Sequence, residues 1–353
     1  MISKFPTPDK FYQSMDMTAL CNHSKYSFDA ATWLKYFDLY KIKKKENLKL
    51  LRQYIQSETL NSFRNLQFTP QPHGSEDFEK SVSISRSSLE QSCKLTKFYS
   101  NPSASTCILE SLNSPKPFKT NISIMIGDCL EAALIYSMGG INKDSEHNVQ
   151  TKKVAVLNMA SAKRPGGGYK TGSGAQEENL FRRTSLAFSL EDVDHWDTDR
   201  KWKYPLPELG GVYVPNVSVI RGSELKGYPF LTKLYHVDVI CVAAYAKPQL
   251  DQSRQKLHES LIENVKNKMR LMFAMAIENG VTTVILSAWG CGAYENPPSH
   301  IASLFNSVIK EYDGAFEDIV FAIYNDHNAK STDGNIVPFE RVFNIKGTEI
   351  VWD

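Results

Sequence analysis

Two short motifs that lie close together in the sequence carry residue types able to bind a ligand and act on it. Three consecutive glycines, Gly166–Gly168, follow a hydrophobic run that ends at Met159, and Gln176, Glu177 and Glu178 come seven residues later. Glycine lets the backbone approach a ligand and point several N–H groups at it, which suits a phosphate or a ribose. Carboxylates beside such a loop repel phosphate, so their position indicates a role in a reaction.

Each motif alone has an ordinary structural explanation. A run of glycines often forms a flexible turn, and a pair of glutamates at the start of a helix often compensates the helix dipole. The two motifs together, at one crossing from a strand to a helix, favour a catalytic site.

The pair Glu177 and Glu178 offers acid/base chemistry to a ligand bound at this loop. Cleavage of a glycosidic bond, for example, needs a group that protonates the leaving oxygen as positive charge develops on the sugar, and that then activates a water. One carboxyl can do both in turn when burial or a neighbouring charge raises its pKa. Side chains one residue apart on a helix diverge by about 100°. We therefore expect one glutamate to be the acid/base and the other to anchor the ribose.

The elements that must position these residues alternate along the second part of the chain. From about residue 93, β-rich runs predict strands at 122–126, 153–159, 236–243, 281–287 and 319–324. Helical patterns lie between them at 128–138, 176–190, 253–278 and 299–312. Several strands are apolar throughout, which is typical of strands covered on both faces. The pattern predicts an α/β fold, a three-layer α/β/α sandwich with a mixed sheet.

The N-terminal part differs from the rest of the chain in its apolar spacing and composition. Apolar residues recur at helical spacing up to about residue 66, and residues 67–92 are rich in Pro, Gly and Ser. We predict a helical extension and linker over 1–92 and a second domain over 93–353. A basic cluster on the extension is either a docking surface for an acidic partner or a solvated helix face; its members are Lys41, Lys43, Lys44, Lys45, Lys49 and Arg52.

Composition limits the classes of function. The 353 residues include 41 basic and 39 acidic ones, so direct nucleic-acid binding is not expected. The six cysteines lack metal-ligand or disulfide spacing, which predicts a cytoplasmic or other reducing compartment. The N-terminus has no apolar core of a Sec signal peptide, and no apolar run is long enough to span a membrane. Delivery into a host cell by a non-Sec route stays open.

The segment VAVLNMASAKRPGGGYKTGSGAQEENLFRRTSL at 154–186 resembles the signature of poly(ADP-ribose) glycohydrolases, and of their microbial-type branch in particular. The similarity continues through VYVPNVSVIRG, DVICVAAYAKPQ, ILSAWGCGAYENPP and FEDIVFAIYND, and covers about residues 120–345. The resemblance implies a macrodomain-like glycohydrolase domain over 93–353, with ADP-ribose or poly(ADP-ribose) as the substrate. No metal is required for this chemistry and no cofactor is expected, since the sequence offers no cluster with metal-ligand spacing.

The resemblance also implies roles for individual residues. Glu178 is the catalytic acid/base, Glu177 binds the ribose hydroxyls, and Gln176 supports the loop. Asp128 lies where macrodomains place the acid that reads the adenine amino group, and Tyr324 matches an aromatic that stacks on the ligand. The remaining substrate-binding candidates are Asn158, the diphosphate loop Gly166, Gly167 and Gly168, and a second phosphate loop with Ala288, Trp289, Gly290, Cys291, Gly292, Ala293 and Tyr294.

Two other functions remain open beside hydrolysis of the polymer. One is a hydrolase of mono-ADP-ribosylated protein, with the extension docking the modified protein. The other is an ADP-ribose reader without catalysis, which the intact Gln176-Glu177-Glu178 argues against. In either hydrolase the extension is expected to choose the target, so a chain that begins near Cys93 is expected to keep binding ADP-ribose.

Overall fold

The computed structural model describes residues 3–4, 26–27, 29–43, 45–70, 80–139, 152–325, 329 and 333–351. The α-helices are α1 (Ala30–Lys43), α2 (Lys45–Arg64), α3 (Arg86–Lys94), α4 (Asn101–Leu112), α5 (Cys129–Ser137), α6 (Gln176–Arg183), α7 (Leu186–Leu190), α8 (Glu259–Glu278), α9 (Pro298–Glu311) and α10 (Ile336–Phe343). The strands are β1 (Ser3–Lys4), β2 (Tyr26–Ser27), β3 (Gln67–Phe68), β4 (Val82–Ser83), β5 (Lys97–Tyr99), β6 (Asn121–Ile126), β7 (Val154–Met159), β8 (Gly211–Arg221), β9 (Phe230–Val242), β10 (Thr283–Leu286), β11 (Asp318–Ile323) and β12 (Thr348–Glu349).

The chain divides into two compact units, and each unit is assembled from three separate segments of the sequence. Unit 1 consists of Met1–Lys94, Gly166–Thr198 and Val217–His236, and unit 2 of Leu95–Pro165, Asp199–Asn216 and Val237–Asp353. The first change of unit, after Lys94, lies close to the predicted boundary at 92. The segment with the glycine triplet and the glutamate pair, however, belongs to the same unit as the N-terminal helices.

The large sheet is mixed, as predicted. Its strand order is β12-β6-β11-β10-β7-β9-β8-β5. Strand β11 pairs in parallel with both β6 and β10, and β7 pairs in parallel with β10 and β9. Strand β5 is antiparallel to β8 at the edge.

Helices cover the central strands of unit 2 on both faces. Residues at every second position, such as Leu157, Ile240 and Leu286, share one apolar core with helices α8 and α9. Val156 and Ile285 point the other way, are equally buried, and lie where α5 packs against β7, β10 and β11. Burial on both faces explains why these strands are apolar throughout, and it confirms the predicted three-layer sandwich.

The predicted elements occur with small shifts. All five predicted strands are present, and the helix predicted at 253–278 begins at Glu259, where the His258 side chain accepts a hydrogen bond from Ser260 N. The helix predicted at 176–190 is two helices, α6 and α7. It breaks because Ser185 pairs with Ser218: Ser185 N donates to Ser218 O at 2.9 Å, and Ser218 N donates to Ser185 Oγ at 3.0 Å.

Unit 1 has its own apolar cores, built from segments far apart in the sequence. Trp33 and Tyr54 of helices α1 and α2 pack with Tyr228. A second cluster joins residues near the end of α2 and from the stretch up to residue 93 with later segments; its members are Phe63, Phe68, Ile84, Leu89, Cys93, Phe188 and Ile220. The described part of the predicted linker therefore forms the β3–β4 pair and helix α3 and contributes to a core.

Candidate active site

The two carboxylates at the start of α6 hold the glycine triplet. Gly166 N donates to Glu177 Oε1 at 3.1 Å, and Gly168 N donates to Glu178 Oε1 at 2.8 Å. Gly167 lies between them with φ +53°, and a Cβ there would be 2.7 Å from Glu178 Oε1. Only glycine fits this position without displacing a carboxylate. Each glutamate thus holds a different amide of the loop, and the division into one acid/base and one ribose anchor stays a prediction.

One carboxylate oxygen at this site finds no hydrogen-bond partner among the residues that the structure describes. Glu178 is 7% exposed, and its Oε2 is buried without a hydrogen bond to any residue that the structure describes. A buried polar atom without a partner is costly, so such an atom calls for an explanation in function or in a bound group. Gln176 lies beside the pair, half-buried, at the first position of α6.

Arg182 and Arg183, in the last turn of helix α6, belong to unit 1. Both side chains are fully buried. Arg182 Nε donates to the Tyr228 hydroxyl at 2.9 Å, and its Nη1 donates to Ser173 O at 2.8 Å. Arg183 Nε donates to Arg221 O at 3.2 Å. These cations therefore serve the internal framework of the unit.

The pair Arg52 and Glu224 is part of that framework, and sequence reasoning missed it. Arg52 Nε and Nη2 donate to the two oxygens of Glu224 at 2.8 and 3.0 Å. Burial alone would raise the pKa of Glu224, but the hydrogen bonds and charge of Arg52, with the charge of Arg182, lower it below its usual value. No local motif reveals a pair that is 172 residues apart in the sequence.

The candidates in unit 2 follow the carboxyl ends of four neighbouring strands. Asp128 comes after β6, Asn158 lies near the end of β7, the loop 287–294 follows β10, and Tyr324 follows β11. These four strands are adjacent and parallel, so the residues meet at one edge of the sheet. Open α/β sheets bind ligands at this edge.

Asp128 and Asn158 both have structural partners. Asp128 Oδ1 caps helix α5, since it accepts hydrogen bonds from Leu130 N at 3.0 Å and Glu131 N at 2.9 Å. Asn158 is fully buried, and its Nδ2 donates to Cys241 Sγ at 3.4 Å. An adenine amino group at Asp128 would therefore have to use the other carboxylate oxygen.

Two residues of the predicted second phosphate loop direct their side chains into the core. Trp289 Nε1 donates to Val242 O at 2.9 Å. Cys291 is buried, and burial raises the pKa of its thiol well above the ordinary value. Any ligand contact by these two residues would come from the backbone. Ala293 is exposed, Gly292 and Tyr294 are half-buried, and Tyr324 is 48% exposed.

Among the residues that the structure describes, no group of three or more His, Cys, Asp or Glu side chains is arranged to hold a metal ion. None of the described helices is long and apolar enough to cross a membrane.

Comparison with known protein families adds to this geometry. The model of the microbial-type PARG catalytic domain matches residues 57–222, which include the glycine triplet and the glutamate pair. The PARG match begins inside α2, so it takes in part of the segment that the sequence placed outside the glycohydrolase domain.

Solved PARG structures are similar to most of the chain. The poly(ADP-ribose) glycohydrolase of Thermomonospora curvata is 26% identical, with a TM-score of 0.66 over 83% of this chain and 99% of that one. The same enzyme bound to the inhibitor ADP-HPD is 25% identical, with a TM-score of 0.64 over 82% and 98%. The PARG of Deinococcus radiodurans in complex with ADP-ribose is 25% identical, with a TM-score of 0.59 over 72% and 96%. Among curated protein sequences, none matches the chain.

Proposed function

We propose that the chain is a poly(ADP-ribose) glycohydrolase and that Glu178 is its catalytic acid/base. The observation that carries this proposal is the state of the Glu178 carboxyl group. Gly168 N fixes Oε1, whereas Oε2 is buried and has no hydrogen-bond partner among the described residues. A carboxyl group that is oriented through one oxygen can transfer a proton through the other. The PARG family match and the structural similarity to PARG complexes support the substrate class.

The proton balance requires only this one group. Glu178, protonated, gives its proton to the leaving oxygen of the ribosyl bond, and the bond to the anomeric carbon breaks with oxocarbenium character. The Glu178 carboxylate then takes a proton from a water as that water attacks the anomeric carbon, so hydrolysis restores the starting state. The products are ADP-ribose with a new hydroxyl at the anomeric carbon and the shortened polymer or acceptor.

Other candidate residues would bind the substrate. In unit 1, Glu177 holds the Gly166 amide and, as the ribose anchor, would accept hydrogen bonds from ribose hydroxyls. The amides of the glycine loop would meet the diphosphate. Within unit 2, taken by itself, Asp128 would read an adenine amino group and the exposed ring of Tyr324 would stack on a ligand. The five described cysteines form no disulfide, which suits a reducing compartment such as the cytoplasm.

A single variant tests the acid/base assignment. Glu178→Gln keeps the shape of the side chain and removes proton transfer, so kcat should fall by about 10²–10⁴-fold. Binding of ADP-ribose, measured by calorimetry, should stay within about threefold of the wild type, because the amide oxygen can still accept from Gly168 N. The matched control is Glu110→Gln, which changes an exposed carboxylate on helix α4 and should keep wild-type kcat.

The assay uses automodified polymerase and mono-ADP-ribosylated protein as separate substrates. Release of ADP-ribose from the polymer supports the proposal. Activity on the mono-ADP-ribosylated protein alone would instead assign the function of a mono-ADP-ribosyl-protein hydrolase. Turnover of Glu178→Gln within a few-fold of the wild type would remove Glu178 from the mechanism.

A further inference from the structure

We infer that Arg52 is a positioning residue for Glu178, and that helix α2 is a working part of the catalytic unit. This inference rests on the proposed function. Its basis is the face of α2 that carries Lys49, Arg52, Gln53, Gln56 and Thr59, which lie at helical spacing. Each of these five residues contacts the loop after the glycine triplet, helix α6, or a side chain bonded to them. All of these residues belong to unit 1.

The loop between the two motifs is shaped to the surface of α2. Gly172 has φ +77°, and a Cβ there would lie 2.2 Å from Lys49 O and 2.5 Å from Lys49 Cα. A Cβ at Gly174 would lie 2.4 Å from the guanidinium carbon of Arg52. Because Lys49 meets the loop with its backbone, no side-chain rotation can relieve that contact. The loop therefore packs closely against α2 at two places, Gly172 and Gly174.

Three polar side chains of α2 satisfy backbone carbonyls of this region. Gln53 Nε2 donates to Lys170 O at 2.8 Å, Gln56 Nε2 to Phe181 O at 3.3 Å, and Thr59 Oγ1 to Arg182 O at 2.6 Å. The last four carbonyls of an α-helix have no partner within the helix. Since α6 is only eight residues long, α2 thus supplies partners at one end of the helix whose other end carries Glu178.

A chain of hydrogen bonds runs from Arg52 to the same helix. Arg52 binds both oxygens of Glu224, the Tyr228 hydroxyl donates to Glu224 Oε1 at 2.9 Å, and Arg182 Nε donates to that hydroxyl at 2.9 Å. Arg182 lies one helical turn after Glu178 on α6 and also holds the loop carbonyl of Ser173.

The electrostatics agree with this chain. Burial opposes the charge of Arg52, but the hydrogen bond and charge of Glu224, with smaller contributions from Tyr228 and Glu178, raise the pKa of Arg52. Arg52 therefore stays cationic and within electrostatic reach of Glu178. Loss of its two-point contact with Glu224 should release Tyr228, then Arg182, and so loosen the orientation of the acid/base.

The test uses full-length variants and separates chemistry from folding. In Arg52→Met the charge and both hydrogen bonds are lost; in Arg52→Lys the charge stays but the two-point contact is lost. We expect kcat on poly(ADP-ribose) to fall about 10–100-fold for Arg52→Met and by a smaller factor for Arg52→Lys. KM should stay near the wild-type value. The stoichiometry of ADP-ribose binding should also stay near wild type, whereas a general loss of folded protein would lower it. Arg341→Met is the control, because Arg341 is an exposed arginine paired with Asp333.

The outcomes are separable from those of the proposed function. Wild-type protein that does not release ADP-ribose from the polymer defeats the proposed function itself. Active wild type together with Arg52→Met that binds ADP-ribose stoichiometrically and keeps kcat within twofold overturns the positioning role alone. If Arg52→Met does not fold, Arg52→Lys and Glu224→Gln decide instead, and wild-type kcat in both overturns the proposal.

Discussion

At the scale of single residues, the candidate site depends on how Glu177 and Glu178 are bonded to the glycine loop. The divergence of Glu177 and Glu178 follows from helix geometry alone, and each carboxylate indeed holds a different glycine amide. Which oxygen of Glu178 keeps no partner depends on the loop backbone, with φ +70° at Gly166 and +53° at Gly167. A glycine can adopt many conformations, so its residue type does not determine these angles.

The bonding partners of long amphipathic side chains could not be inferred from the sequence. Arg182 and Arg183 are fully buried although arginine is mostly exposed in proteins. Their burial depends on partners such as Tyr228 and Arg221, which come from later in the chain. The sequence pattern does not reveal such partners. It also does not reveal that the ring of Trp289, a residue of the predicted second phosphate loop, packs in the core.

Lys268 provides a prediction about stability and pH. Its buried ammonium donates to Glu208 O, and burial, opposed by the charge of Glu208, lowers the pKa of Lys268 to about 8. An unfolded lysine titrates near about 10.4. Between pH 8 and 10 the unfolded chain holds a proton that the folded chain has lost, so this group makes the protein more stable as pH rises.

Comparison with Lys268→Met isolates that effect. From pH 8 to pH 10, the free energy of unfolding of the wild type should gain about 1–2 kcal/mol relative to Lys268→Met. Denaturant titration at the two pH values measures it, and the difference cancels the titration of all other groups. Lys310→Met, at an exposed position on α9, should leave the pH slope at the wild-type value. Parallel slopes for wild type and Lys268→Met would contradict the prediction.

At the scale of elements, apolar runs located the central strands but not the irregular ones. Strand β8 was not predicted, because Pro215 and Asn216 interrupt its β-rich pattern as a turn would. In the structure Asn216 has φ +53°, and its N–H donates to Asp238 Oδ1 at 2.7 Å. A side chain thus takes a hydrogen bond that a regular strand would give to its neighbour.

Gly172 tests the contact between the loop and α2. Gly172→Ala combines a strained backbone at φ +77° with a clash against the Lys49 backbone. Gly280→Ala is a matched control: Gly280 has φ +69°, and a Cβ there would meet no atom within 4 Å. The strain of about 1–2 kcal/mol should be common to both, and the clash should add about 1–3 kcal/mol for Gly172→Ala.

The measurement is the free energy of unfolding of both variants by denaturant titration, together with hydrolysis of the polymer. Gly172→Ala should also lower activity, since the displaced loop carries the amides bound by Glu177 and Glu178. Equal destabilisation by the two substitutions would mean that the loop does not rest on α2.

At the scale of the whole molecule, we predicted that residues 1–92 form an extension separate from a glycohydrolase domain over 93–353. That prediction divides the chain at one point of the sequence. The composition of 67–92 and the absence of family motifs before residue 120 both supported it. The structure groups residues by contact instead: Phe63 and Leu89 share a core with Phe188 and Ile220. Contacts across more than a hundred residues leave no local trace in a single sequence, which is why the strands could be predicted and the units could not.

Removal of residues 1–92 distinguishes a targeting extension from an integral part of the catalytic unit. The truncated chain would expose Phe188, Ile220 and Tyr228 and would lose every α2 side chain that bonds the loop and α6. We therefore expect it to bind a hydrophobic dye and to bind ADP-ribose, measured by calorimetry, at least 10-fold more weakly than the full-length chain, because a loop without its support is no longer preorganised for the ligand. A truncated chain that is folded, monomeric and binds ADP-ribose with full-length affinity would instead return residues 1–92 to a targeting role. Polymer hydrolysis by that same protein would then show that α2 does not position Glu178.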